Sequence, residues 1–135
     1  MTYLVDANVL SEPTKQVPSA TVIEWLSANE GDLVVDSIIL GELRAGVVAL
    51  PPGRRRTRLE RWFATLLQTI DCLPWDAAIS GRWAALVVEL RRGGHTIPLL
   101  DSMIAATALE HDLTVATCNR RDFEVAGVRL LDPFV

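Results

Sequence analysis

The sequence predicts one α/β domain: a parallel sheet of about five strands flanked by helices on both faces. Two observations predict it. Short β-branched runs alternate along the chain with longer stretches of helical periodicity. The short runs are also apolar throughout rather than at every second position, as strands covered on both sides are. A third observation bears on chemistry, because acids recur directly after these runs, at the sheet edge where open α/β folds bind ligands.

The elements follow in order. Tyr3-Leu4-Val5 forms a first strand that ends on Asp6. Residues 19–28 form a helix with Val22, Ile23 and Leu26 inward, and Leu33 to Val35 a second strand. Ser37 caps a helix that runs from Ile38 to about Leu50, where Pro51-Pro52-Gly53 stops it. The strongest amphipathic pattern lies between Arg54 and Ile70, with Leu59, Trp62, Phe63, Leu66, Leu67 and Ile70 on one stripe. Asp71 to Leu73 is a short third strand. Asp76 caps a helix that ends near Arg92 at Gly93-Gly94, and Pro98 opens another that reaches His111. Thr114 to Thr117 is the fourth strand, residues 121–125 a turn or short helix, and Val128 to Leu130 the fifth strand.

With 135 residues, half of them apolar and 22% charged, the chain suits one domain with a real core, here spanning residues 1–135. No apolar run reaches the eighteen or so residues of a membrane span, so no membrane partner is expected. The opening residues lack a basic segment before an apolar run, which leaves a cytoplasmic location as the expectation. Cys72 and Cys118 show no metal-ligand spacing and are expected to be reduced thiols used as small apolar residues. His95 and His111 match no zinc motif. The net charge of −4 weighs against nucleic acid, but the positive charge is nearly all arginine and clustered: Arg54-Arg55-Arg56 with Arg58 and Arg61, Arg91-Arg92, and Arg120-Arg121. Arginine forks suit phosphate oxygens.

Four acids from distant stretches point to one sheet edge: Asp6 after the first strand, Glu42 about a turn into the helix after the second, Asp101 in the opening turn of the Pro98 helix, and Asp122 after the fourth strand. Singly, each has a plainer reading. Asp6 serves as a helix cap, Asp101 complements a helix dipole, and Asp122 pairs with a neighbouring arginine. Glu42 resists such a reading. It is predicted to sit half-buried on a small apolar face made with Ile38, Ile39, Ala45, Gly46 and Ala49, with no lysine near and Arg44 on another side. A buried carboxylate needs a cation or a proton. Carboxylates without His or Cys select Mg²⁺ or Mn²⁺, ions suited to phosphodiester hydrolysis.

The segments VDANVL (Val5 to Leu10), SIILGELRAG (Ser37 to Gly46), LLDSMIAATALEHDL (Leu99 to Leu113) and TCNRRDF (Thr117 to Phe123) resemble the PIN-domain family, most closely its VapC-type toxins of toxin–antitoxin pairs. The resemblance covers essentially the whole chain. It implies a single PIN-like domain whose acidic quartet is Asp6, Glu42, Asp101 and Asp122, both catalytic and metal-ligating, supported by Asn8, Thr117 and Asn119. It further implies Mg²⁺- or Mn²⁺-dependent endonucleolytic cleavage of RNA, a homodimer, and an antitoxin that blocks the site. Cys118 stands where the family often places an arginine. Alternatives within the same fold are an RNA-processing nuclease without a toxin role and a non-catalytic protein-binding module. A receiver domain would need an aspartate closing the third strand and a lysine after the fifth, but Asp71 begins that strand and Lys15 is the only lysine. Trp62, Trp83, Val87 and Leu90 are candidates for a subunit or antitoxin surface, against plain core packing.

Overall fold

A computed structural model describes residues 1–135. Five parallel strands form one sheet: β1 (Tyr3–Val5), β2 (Leu33–Asp36), β3 (Asp71–Leu73), β4 (Thr114–Ala116) and β5 (Leu130–Leu131), in the spatial order β3-β2-β1-β4-β5. Tyr3 pairs with Leu33 on one side and Thr114 on the other. The sequence runs outward from the centre twice, first through β2 and β3, then back across to β4 and β5. Right-handed crossovers in opposite directions lay their helices on opposite faces. Leu4 and Val5, neighbours that point to opposite faces, are both fully buried, as a doubly covered central strand requires.

Seven helices complete the fold: α1 (Ala7–Leu10), α2 (Ala20–Ala28), α3 (Ser37–Val48), α4 (Arg54–Thr69), α5 (Ala77–Arg92), α6 (Leu99–His111) and α7 (Arg120–Val125). The core gathers Leu4, Val5, Val35, Ile39, Ile104, Val115 and Phe123 around the sheet. α6 is buried from Ile104 to Ala108, and its alanines let it lie close to its neighbours. α5 ends as expected at Gly93-Gly94, with Gly94 at φ 77°, a conformation that favours a residue without Cβ.

The architecture is the expected one, and the differences are local. α1 has no counterpart in the sequence pattern, because four residues give no periodicity to read. The cap of α3 is Asp36 rather than Ser37. The Ile39 N–H donates to Asp36 Oδ1 at 2.8 Å, while the Ser37 hydroxyl reaches the Leu73 carbonyl at 3.5 Å. α3 packs through Ile39, Leu43 and Val47, and the small face of Ala45, Gly46 and Ala49 is exposed. Packing follows the bulky branched residues, which remove more apolar area from water. β5 begins at Leu130 because the Val128 N–H is spent on the Phe123 carbonyl at the end of α7. Leu67 is exposed on α4. Cys72 and Cys118 are unpaired, and both are exposed rather than packed. Of the four candidate surface residues, Leu90 is buried and Trp62, Trp83 and Val87 are partly so; the Trp83 indole N–H donates to Ser102 Oγ at 2.9 Å.

Candidate active site

The direction of chain progression reverses between β1 and β4, and this switch point places a crevice at the carboxyl ends of those two strands. Asp6 and Thr117 occupy it, one residue beyond each strand. The Asp6 backbone N–H donates to the Ala116 carbonyl at 2.9 Å, so the pairing of the two strands itself fixes where the carboxylate emerges.

Asp6 is 5% exposed and both of its oxygens are engaged. Oδ1 accepts from the Ala7 N–H at 2.8 Å; Oδ2 accepts from the Thr117 hydroxyl at 2.8 Å and from Asn8 Nδ2 at 3.1 Å. The capping role that the sequence allowed Asp6 is therefore real, and it orients the group rather than using it up. Asn8 is clamped in turn. Its Nδ2 also reaches Thr117 Oγ1 at 3.2 Å, and its Oδ1 accepts the Cys118 N–H at 3.2 Å. The Cys118 side chain itself faces outward.

A second group lies where α6 and α7 meet. Asn119 Nδ2 donates to Asp101 Oδ2 at 3.0 Å and stands 3.5 Å from Asp122 Oδ2, and the Asn119 backbone N–H donates to Thr117 Oγ1 at 3.0 Å. Thr117 is thus the hinge between both groups. Burial, then the charge of Asp6, then that of Asp122 push the Asp101 carboxyl above its usual range.

Glu42 comes from a third direction, on α3, as the sequence indicates. Its Oε1 is buried and has no hydrogen-bond partner. Burial first, then Asp6, Asp101 and Asp36, raise its pKa to about 7. Arg44 offers no relief, because it turns to Glu60 on α4. The structure therefore brings together all seven residues that the sequence singles out, in two hydrogen-bonded groups plus the isolated Glu42.

A further acid, Asp36, escapes the sequence reading. It is the last residue of β2, level with Asp6 just beyond β1, and the acid after each apolar run was the available signal. It is 2% exposed, and burial chiefly pushes its carboxyl up, with the charge of Asp6 adding to the rise. Its Oδ2 makes no hydrogen bond; the nearby Thr107 hydroxyl donates instead to the Met103 carbonyl at 3.3 Å.

As they stand, the acids are too far apart for a cage: no three His, Cys, Asp or Glu side chains close around a common point. What fits a hard divalent cation is the donor set. The carboxylates lie within reach of one another's charge, one oxygen is buried and unpartnered, and no basic side chain pairs with any of the four acids.

The model of the PIN domain matches residues 3–128. The chain belongs to the PIN-domain family. Among proteins it resembles, VapC ribonuclease Y4jK of Sinorhizobium fredii is 35% identical over 135 residues, covering 97% of this chain and 96% of that one. Toxin FitB of Neisseria gonorrhoeae is 35% identical, with 97% of each covered. In space, a chain of the solved structure of FitAB bound to a DNA fragment matches with a TM-score of 0.93 at 30% identity, covering 99% of this chain and 96% of that one. This PIN domain thus carries the family resemblance over nearly its full length, including all four segments on which its sequence suggests it.

Proposed function

We propose that this PIN domain is a divalent-metal-dependent endoribonuclease that hydrolyses RNA phosphodiester bonds, and that it serves as the toxin of a toxin–antitoxin pair. One observation carries the catalytic part: the Glu42 carboxyl, partly buried with one oxygen unpartnered, shares a crevice with Asp6 and Asp101 and no compensating cation. The names of relatives support the rest, one a ribonuclease and one a toxin that each match nearly the whole chain. A toxin requires a neutralising partner, so a cognate antitoxin protein is part of the proposal, as are a homodimer and a cytoplasmic setting. No helix is long and apolar enough to cross a membrane.

In this reading Asp6, Glu42, Asp101 and Asp122 hold Mg²⁺ or Mn²⁺. When bound, the ion lowers the pKa of a water and stabilises negative charge on the phosphate. The side chains divide the remaining work. The Thr117 hydroxyl and Asn8 amide hold Asp6 Oδ2 and the Ala7 N–H holds Oδ1, which fixes the orientation of the carboxylate. Asn119 holds Asp101 and Asp122 at a set separation, and Asn8 ties the first strand's turn to the fourth's. Glu42, with its pKa near 7 in the ion-free chain, must give up a proton from its carboxyl for full ligation, so ion affinity rises with pH through neutrality.

The test is cleavage of total cellular RNA by the purified chain. Cleavage requires added Mg²⁺ or Mn²⁺, stops with EDTA, and is lost in Asp101→Ala, whose thermal unfolding stays cooperative. Activity that survives Asp101→Ala contradicts the assignment.

A further inference from the structure

Three of the arginines at the start of α4, Arg54, Arg55 and Arg58, stand where the helix itself gains nothing from them. Cations at a helix N-terminus are disfavoured by the aligned peptide dipoles, and α4 has no acid in its first turn. Arg54 and Arg58 are one turn apart, a spacing at which like charges repel. Arg56 is drawn off to Glu60, with Nε to Oε1 at 3.5 Å, but Arg54, Arg55 and Arg58 take part in none of the chain's ion pairs. All three are exposed. Arg91 and Arg92 make the contrast. They close α5 at its C-terminal end, where the dipole favours them and a structural account suffices.

These unpaired cations are gathered rather than scattered. With Thr14, Lys15 and Gln16, they line a depression of about 530 Å³ that has no hydrophobic wall. Thr14, Lys15 and Arg55 also line a second groove, of about 320 Å³, which holds Asn8 and Glu42. The two depressions share Thr14, Lys15 and Arg55, and together they make a trough that runs from the cation cluster to Glu42. Lys15 contributes less than the arginines, because Glu12 Oε2 lies 2.7 Å from its ammonium.

We propose that Arg54, Arg55 and Arg58, assisted by Lys15, form a phosphate-binding subsite that holds the backbone of the RNA strand along this trough, next to the bond being cut. The proposal rests on the nuclease reading above. Guanidinium forks donate bidentately to phosphate oxygens, and such contacts carry no sequence information. The subsite therefore sets how tightly and in which direction the strand lies, not which base is chosen.

The experiment uses the intact chain in EDTA, with fluorescence anisotropy of a fluorescein-labelled oligouridylate over a salt series. The triple variant Arg54→Gln/Arg55→Gln/Arg58→Gln is expected to bind about tenfold or more weakly. Its plot of log affinity against log salt should be flatter by about 2, near 0.7 for each phosphate that is no longer neutralised. Removing repelling charge from a helix start leaves its melting temperature equal or higher. The Arg91→Gln/Arg92→Gln control, cleared of charge at the other helix end, binds like the parent. A triple variant with the parental slope overturns the subsite. If that variant keeps its RNA slope but binds polyglutamate more weakly than the parent does, the cluster belongs to an acidic peptide and the RNA assignment is likewise overturned. Stabilisation by Mn²⁺, measured on the same proteins without EDTA, reads the carboxylate site independently. Its absence from the parent removes the nuclease reading, whatever the arginines do.

Discussion

Asp6 and Asp36 occupy the same local position in neighbouring parts of the sheet. Each follows the apolar core of its strand, each caps the helix that comes next, and each is at least nine-tenths buried. Their surroundings differ. Asp6 lies at the switch point, where Thr117 follows β4 and the crevice opens between separating crossovers; hydroxyl and amide donors hold both of its oxygens. Asp36 lies on the β2 side, at the start of α3, with one oxygen given to the Ile39 N–H and the other enclosed without a donor. A strand-end aspartate is thus a local motif, and in the proposed function topology decides whether it serves as a ligand or only as a cap.

The comparison breaks most sharply on neutralising each acid in turn. Asp6→Asn is expected to reduce RNA cleavage by more than about a hundredfold, since in the proposed function it removes a ligand rather than a supporting group, whose loss alone costs about 10–100-fold. Asp36→Asn should leave cleavage within a few-fold of the parent. It should also hold or raise the melting temperature near pH 8, because asparagine caps as well as aspartate and carries no buried charge. Equal losses in the two variants would mean that position relative to the switch point does not matter.

Thr117→Val tests the donors that set Asp6 apart. It removes the hydroxyl that serves both Asp6 Oδ2 and the Asn119 N–H, and a fall of about 10–100-fold in Mn²⁺ affinity is expected by calorimetry, with the fold retained.

Glu42 extends the comparison to pH. Its pKa is raised to about 7 in the ion-free fold, above the ordinary carboxylate value of 4.5. Between those values the folded chain binds more proton than the unfolded one, so its stability falls as pH rises from 4.5 towards 7. Asp101 and Asp36, also shifted upward, act in the same direction. In EDTA, thermal unfolding across this range should show a declining melting temperature that is flatter in Glu42→Gln. A parent protein that becomes more stable over that range would contradict the placement of Glu42. The smallest effect belongs to Asp36→Ala, which loses the α3 cap at a cost of about 1 kcal/mol in denaturant unfolding.

Much of this is legible in the sequence. Two-sided apolar runs point to the parallel sheet, and the rule that ligands bind past strand ends puts Asp6, Asp101 and Asp122 together although Asp6 and Asp122 stand at opposite ends of the chain. Glu42 stands out because no neighbour offers it a charge. What stays hidden is what packing decides. The spacing of α3 allows either of two faces inward, and bulk chose Ile39, Leu43 and Val47 over the small residues. Asp36 is concealed because β2 runs one residue further than its apolar stretch, so its capping carboxylate reads as strand end. The hydrogen bond that ties Thr117 to Asp6 spans 111 residues, and no local pattern announces it.

The most direct test is the electron paramagnetic resonance of Mn²⁺ titrated with the purified chain near pH 8, where Glu42 is ionised. The spectrum of the free ion should collapse on adding the parent protein and equally on adding Asp36→Asn, but persist with Asp6→Asn. A free-ion signal left untouched by the parent, or lost just as fully with Asp6→Asn, would contradict the claim that these acids gather around a divalent cation.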